Sequence, residues 1–382
     1  MEPLERAREL FAAFESQLRS EMPEGVDVFD AHTHLGTDID GMVGRYEELE
    51  AMLDRHGISR CFVFCLDEPD RHPAFRAGND RTLAFAERSQ GRMIPFVRLA
   101  LDEEPIAEAT RCLDLGARGI KLHPRAQKFL LDDERLTPVF ALAAERSVPI
   151  LIHGGRGLPP IADHLHRLVD AYPEAQLIIA HAGIADMANL TARFAGVPGV
   201  FFDTSTWSAV DLLDFYRQVA PEQVVWASDF PYGQQPGSLL IAIKTALVAG
   251  YDESQLRGLL GGTAGRLADG EELPEPTSPL GSGILSRPMQ LARIHQYLAM
   301  TTPLLWTRQA DTLGVLGLAI NACLEPNGSG ESSGRILELL IAARDVWTAA
   351  PEIVDDQERV RAVRLTFRLI HLADIEAVTA AA

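Results

Sequence analysis

VDVFDAHTHLG, residues 26–36, decides how the chain folds. Its first part, Val26–Ala31, is rich in β-branched and aromatic residues and reads as a strand, and the strand runs straight into His32-Thr33-His34-Leu35-Gly36. A doubly wound open sheet normally places a Gly-rich phosphate loop after its first strand. A His-x-His turn in that place argues against such a fold. Working outward, strand-like runs recur at Arg60–Leu66, Met93–Leu99, Gly119–Leu122, Pro149–Ile152, Gln176–Ala180, Val200–Asp203 and Val224–Ser228. Segments of helical period follow them, among them Tyr46–His56, Thr82–Ser89, Ile106–Leu115, Leu136–Arg146 and Leu239–Val248. Strands alternating with helices imply a parallel sheet, and eight such units predict a (β/α)8 TIM barrel.

After the barrel the composition shifts to Gly, Pro, Glu and Ser, and residues 271–286 read as a linker. Residues 287–382 then predict a small all-α C-terminal region, with helical segments at Pro288–Leu305, Arg308–Leu324, Arg335–Trp347 and Gln357–Val378. The division is therefore 1–270 for the barrel with an N-terminal helix, 271–286 for the linker and 287–382 for a helical bundle.

The 382 residues carry a formal net charge of -19, which repels phosphate backbones and anionic lipid and so disfavours nucleic-acid and membrane-surface partners. The apolar run around Leu313–Leu324 is interrupted by Asn321 and falls short of a bilayer span. Cys61, Cys65, Cys112 and Cys323 show no paired-metal spacing and read as buried free thiols. The opening helix lacks the apolar core that export requires, so a cytoplasmic protein is expected.

In a TIM barrel the active site forms where the strands end. Strand 1 ends in Asp30-Ala31-His32-Thr33-His34, strand 4 in Lys121-Leu122-His123-Pro124, strand 5 in His153-Gly154-Gly155, strand 6 in His181-Ala182-Gly183 and strand 8 in Ser228-Asp229-Phe230-Pro231. Five of the eight thus end in a ligand or acid–base group. His-x-His on one strand points both imidazoles to one side, and two imidazoles with a carboxylate suit a divalent transition metal that keeps a position open for water. Arg98, ending strand 3, and Arg156, after His153, are candidates to hold a substrate carboxylate bidentately. Ser205 and Trp207 follow strand 7 and either line the pocket or cap the barrel. His123, biased towards an extended backbone by Pro124, turns its ring into the site or packs it under the loop. Lys121 either joins the site or pairs with an acid such as Asp203 inside the barrel. His164 and His166 sit in a predicted helix, where positions two apart diverge, so they make a poor ligand pair.

Six stretches in order, DAHTHLG, GIKLHP, LIHGG, IIAHAG, ASDFPYG and LLGGTAGRLA, resemble the amidohydrolase superfamily, in particular its amidohydrolase-related branch of short barrels. The resemblance covers about residues 26–268 and stops before the C-terminal helices. It implies that His32, His34, His153 and Asp229 hold one divalent ion, usually Zn2+. It further implies that Asp229 accepts a proton from the attacking water and that His181 polarises the substrate or orients the nucleophile. Lys121 is a further catalytic candidate. In two-metal members of the superfamily a strand-4 lysine is carboxylated and bridges the ions, so a second metal with Lys121, His153 and His181 is the alternative. Substrate contacts fall to His123, Arg98, Arg156 and Trp207.

The expected activity is metal-dependent hydrolysis of an amide, lactone or ester in a small polar metabolite. The rival within enzymes is non-oxidative decarboxylation of an aromatic or unsaturated carboxylic acid. A non-catalytic barrel acting as sensor or scaffold is a third reading, against which the intact ligand set argues. The C-terminal helices would cover the pocket, build a homo-oligomer or bind a protein partner.

Overall fold

The computed structural model describes residues 3–380 apart from 207, 234, 282–286, 308, 310–311 and 326–329. The strands are β1 Val28–Thr37, β2 Val43–Gly44, β3 Ile58–Cys65, β4 Met93–Arg98, β5 Gly119–Leu122, β6 Ile150–Ile152, β7 Leu177–Ile179, β8 Val200–Asp203 and β9 Val224–Val225. They form one curled, mixed sheet in the order β2-β1-β3-β4-β5-β6-β7-β8-β9. Among the described strands only the β1–β2 pairing is antiparallel, and it extends β1 beyond the predicted strand to Thr37. Past β9 the chain hydrogen-bonds back to β1: Ala31 N donates to Trp226 O (3.0 Å), and His34 N to Phe230 O (2.7 Å). The architecture is TIM-barrel-like and carries a helical C-terminal region.

Parallel strands covered on both faces read as near-continuous apolar runs, and β6 (ILI) and β7 (LII) are buried at every residue. The core inside the sheet takes alternate residues from its strands: Phe29 and Ala31, Phe62 and Phe64, Ile94 and Phe96, Leu151, Ile178 and Ala180, Phe201, Val225 and Ala227. Ala264 and Leu267 of the helix Thr263–Asp269 complete it. Helix Arg76–Arg88 starts six residues before the predicted one, and Glu253–Asp269 forms a nearly continuous helical run where the sequence showed only a closing motif.

The chain divides into two compact units, one comprising Pro23–Ala242 with Ala249–Ser282, the other Met1–Met22, Ile243–Val248 and Gly283–Ala382. The N-terminal helix Pro3–Glu21 thus groups with the C-terminal helices Met289–Trp306, Thr312–Cys323, Glu331–Ala349 and Asp356–Thr379, and not with the barrel region where the sequence division put it. The reason lies in its partners. Arg335 donates to Gln17 Oε1 at 2.6 Å and stacks over the Phe14 ring, while Arg6 and Arg8 pair with Glu338 and Glu358 at 3.3 Å each. Buried Glu376 takes both Lys244 and Arg335. All four cysteines are free and buried. Among the described residues no helix is long and apolar enough to cross a membrane.

Candidate active site

The core alternation delivers the site. Two residues beyond core positions on their strands come Arg98 (after Phe96), His153 (after Leu151), Asp203 (after Phe201) and Asp229 (after Ala227), because side chains repeat with a period of two. β1 departs from this rule. Its core residues are odd-numbered, Phe29 and Ala31, yet His32 and His34 line the cavity. The switch coincides with an irregularity: from Asp30 to Thr33 β1 advances three residues while its partner advances two, Cys61 to Val63. One extra residue changes the facing parity, as a β-bulge does. His181 is re-aimed by other means, standing with Ala182 at positive φ (60° and 52°) just after β7.

These residues surround a cavity of about 420 Å³, lined by His32, His34, Arg98, Lys121, His123, His153, His181, Asp229 and Tyr232 among others. At its floor the Nε2 atoms of His32 and His34 are 3.1 Å apart, and Asp229 Oδ1 lies 3.4 Å and 3.2 Å from them. His32 Nδ1 donates to Asp203 Oδ2 at 2.7 Å, so its Nε2 is a lone pair, and that lone pair faces a carboxylate oxygen. Burial, reinforced by Lys121, holds His32 far below its usual range, to about 3, and lowers His34 likewise. Burial raises the Asp229 carboxyl, with Lys121 opposing. Acceptors turned on one another in a buried space are the donor set a divalent cation requires. His34 Nδ1 adds a buried ring nitrogen with no hydrogen-bond partner among the described residues. His32, His34 and Asp229 fit a metal, their ligand atoms all lying within 4.8 Å of one another.

His153 stands outside that trio but is prepared in the same way. His181 Nδ1 donates to Ser205 O (2.8 Å), which leaves its Nε2 to accept from His153 Nδ1 (3.0 Å). His153 Nε2 is then a buried lone pair, and no partner meets it among the described residues. His123 stacks on His153 with ring centroids 3.8 Å apart, and its Nδ1 accepts from Ala126 N (3.2 Å), so it serves the cavity wall and the loop together. Lys121 is fully buried, 3.3 Å from His32 Nε2, with its ammonium over the Phe64 ring. Burial lowers its pKa to about 7, against the pull of Asp203 and Asp229. Among the described residues no acid contacts its Nζ directly, which separates it from the predicted pairing with Asp203.

Arg98 and Arg156 part company. Arg98 is 1% exposed in the cavity wall, donates to Cys65 O (3.1 Å) and leaves its Nε without a hydrogen-bond partner among the described residues. Arg156 is a correction: its side chain is 81% exposed, 4.0 Å from Asp211 and absent from the cavity lining, since the loop after β6 carries it outward. Trp207 lies outside the described residues. Ser205 contacts the site through His181 and through a 2.5 Å hydrogen bond to Asp203 Oδ1.

Sequence reasoning missed the supports. Asp203 receives His32 Nδ1, the backbone N of His181 (2.8 Å) and Ser205 N (3.0 Å). Burial alone would raise its carboxyl, but His32, His181 and Ser205 hold it below the usual range. Asp30 accepts from the backbone N of His32 (3.2 Å) and of Ser228 (2.9 Å), and burial lifts its pKa to about 7. Asn79 clamps Arg98 by its backbone, its Oδ1 accepting from Arg98 N and its Nδ2 donating to Arg98 O, both at 2.9 Å. Tyr232 sets its ring across His34 and donates to Asp38 Oδ2 at 3.3 Å. The period-two rule, carried one step past the apolar run of β8, would have found Asp203; nothing local marks Asn79.

The sequence profile of the amidohydrolases matches residues 29–268. No curated protein matches the chain in sequence. Among solved structures, the fold is similar to that of a provisionally assigned amidohydrolase from Staphylococcus aureus, at 15% identity and a TM-score of 0.50, covering 64% of this chain and 99% of that one. Others include a provisionally assigned 2-pyrone-4,6-dicarboxylic acid hydrolase from Acinetobacter baumannii with citric acid bound (13% identity, TM-score 0.49, 64% and 99% covered). A third is Metarhizium anisopliae IDCase in apo form (15% identity, TM-score 0.48, 64% and 97% covered). With its profile match spanning well over half its length, the chain belongs to the amidohydrolase family.

Proposed function

We propose that the chain is a metal-dependent hydrolase of a small polar metabolite carrying an amide, lactone or ester bond. The reading includes full closure of the sheet into a (β/α)8 barrel, supported by the hydrogen bonds from β1 to Trp226 and Phe230. The observation that carries it is the meeting of His32, His34 and Asp229 at the cavity floor. In this reading His153 is the fourth ligand, supported by its unpartnered Nε2. A divalent ion there, Zn2+ by the donor set, supplies a Lewis acid that brings the pKa of water from 15.7 towards about 7.

The protein's own groups do the rest. Asp229 accepts the proton of the attacking water and returns it to the leaving group. Both His181 ring nitrogens are engaged, so its part is to hold His153 in the ligating tautomer. Lys121 stands beside His32 in the cavity and, below its lowered pKa of about 7, brings a positive charge to meet negative charge developing on the substrate. A cavity of about 420 Å³ takes a small molecule.

Decarboxylation is the second reading, and Arg98 favours it: a buried guanidinium with an unused Nε in the cavity wall suits a substrate carboxylate. The first test is metal content of the purified protein beside His32→Ala and Asp229→Ala. About one zinc per chain, lost in both variants, supports the proposal. Two ions per chain would assign Lys121 to a carboxylated bridge. No metal under chelator-free handling sinks the mechanism. Carbon dioxide release, assayed on aromatic acids against lactones and amides, separates the two readings.

A further inference from the structure

The opposite end of the sheet carries a second pocket, of about 380 Å³, and none of its lining belongs to the site above. It is built where strands begin. Arg60 is the third residue of β3, Gly91 and Ile94 flank the start of β4, Arg118 immediately precedes β5, and Arg146 lies just before β6. Three units of the sheet thus bring a guanidinium to it, and Arg60, Arg118 and Arg146 line one cavity. Arg92, before β4, is turned away to Asp54 and to the carbonyl of Ile58.

The charges in the lining do not cancel. Asp269 is the one acid there, and it is spent on Arg60, at 2.7 and 3.0 Å. Arg146 pairs with Asp114 at 2.9 Å, outside the lining. The Arg118 guanidinium is exposed and has no hydrogen-bond or ion-pair partner among the described residues. Ser147 adds a hydroxyl, and Val148 and Gly270 bring further backbone to the wall. Asp27 and Glu271 also act on Arg60, so of the three guanidiniums Arg118 is the uncompensated one, set in a concave site of a protein whose net charge is -19. Guanidinium forks match the oxygens of phosphate two at a time.

We propose that this pocket binds a small, multiply charged oxyanion of the phosphate class, with Arg118 as its principal contact and Arg60 and Arg146 as flanking charge. A ligand here lies at the end of the barrel that does no chemistry in this fold. Its effect is therefore on stability, through preferential binding to the folded chain.

Isothermal titration with inorganic phosphate, at ionic strength matched with chloride, tests this on the full chain. Wild type gives a saturable isotherm, and Arg118→Gln weakens it by about tenfold or more, the loss of a charge-assisted pair. Arg118→Gln folds, since the side chain supports nothing else, and circular dichroism checks that it does. Arg167→Gln, an exposed arginine elsewhere, controls for net charge and leaves the isotherm unchanged. Absence of saturable binding overturns the proposal, as does phosphate binding that Arg118→Gln leaves intact, which would put the ion in the catalytic cavity.

Discussion

Asp203 fixes a tautomer, and that is a residue-scale property with a measurable consequence. Its Oδ2 takes the Nδ1 proton of His32, so the lone pair that faces Asp229 exists because of it. Asp203→Asn should lower metal affinity about 10–100-fold, as loss of such outer partners does, read by competition with a chromogenic chelator. An unchanged affinity would mean His32 keeps its tautomer unaided. Gly155 makes a second case. A Cβ there would stand 2.6 Å from His153 Cε1 and 2.7 Å from its Nε2. Gly155→Ala should therefore rotate His153 off His181 and weaken metal retention while far-ultraviolet circular dichroism stays the same. Retention equal to wild type would remove His153 from the ligand set. At this scale the sequence was legible where a residue type announces its chemistry at a strand end, as with His32, His34 and Asp229, which meet in one cavity. It was not legible for Arg156, because a loop residue after a strand has no direction written into its position. For Lys121 the neighbour that counts, His32, lies 89 positions away.

Elements were legible through their periods, and the misses share a cause. Nearly all the predicted strands and helices of the barrel region overlap observed ones, since buried parallel strands write continuous apolar runs. β1 extends past its prediction because its end pairs with β2, a two-residue strand with no period to read. The bulge that turns His32 and His34 inward leaves no trace either: His-x-His guarantees that both rings share a side, not which side. Helix Arg76–Arg88 is joined to the end of β4 by Asn79, which also donates to Glu108 Oε1 at 3.0 Å. Asn79→Ala strands the N–H and C=O of Arg98 in a buried setting. It should cost about 1–3 kcal/mol in urea unfolding, and an effect within ±0.3 kcal/mol (about the noise of such comparisons) would show that water replaces the amide.

Over the whole molecule, the alternation of strand and helix periods pointed to the TIM-barrel-like architecture, yet the grouping of the first helix escaped. An amphipathic helix states that it has an apolar face, not what covers it. Glu376 shows how the second unit is tied, since Lys244 and Arg335 both come to it and Arg335 also reaches Gln17. These residues are drawn from four distant stretches of chain. Glu376→Ala leaves Lys244 with Glu21 alone, at 3.7 Å, and should destabilise that unit by about 1.5–3 kcal/mol, the range for a hydrogen bond to a charged group; a midpoint equal to wild type in thermal unfolding would contradict this. The same grouping has a consequence during synthesis. Helix Pro3–Glu21 leaves the ribosome ahead of the barrel region, and apart from Ile243–Val248 the helices that share its unit begin at Met289. At a translation rate of roughly 5–20 residues per second, that helix waits for tens of seconds, while the whole of the barrel is made, before its partners exist. The newborn chain must keep Phe14 and Leu18 out of trouble throughout that interval.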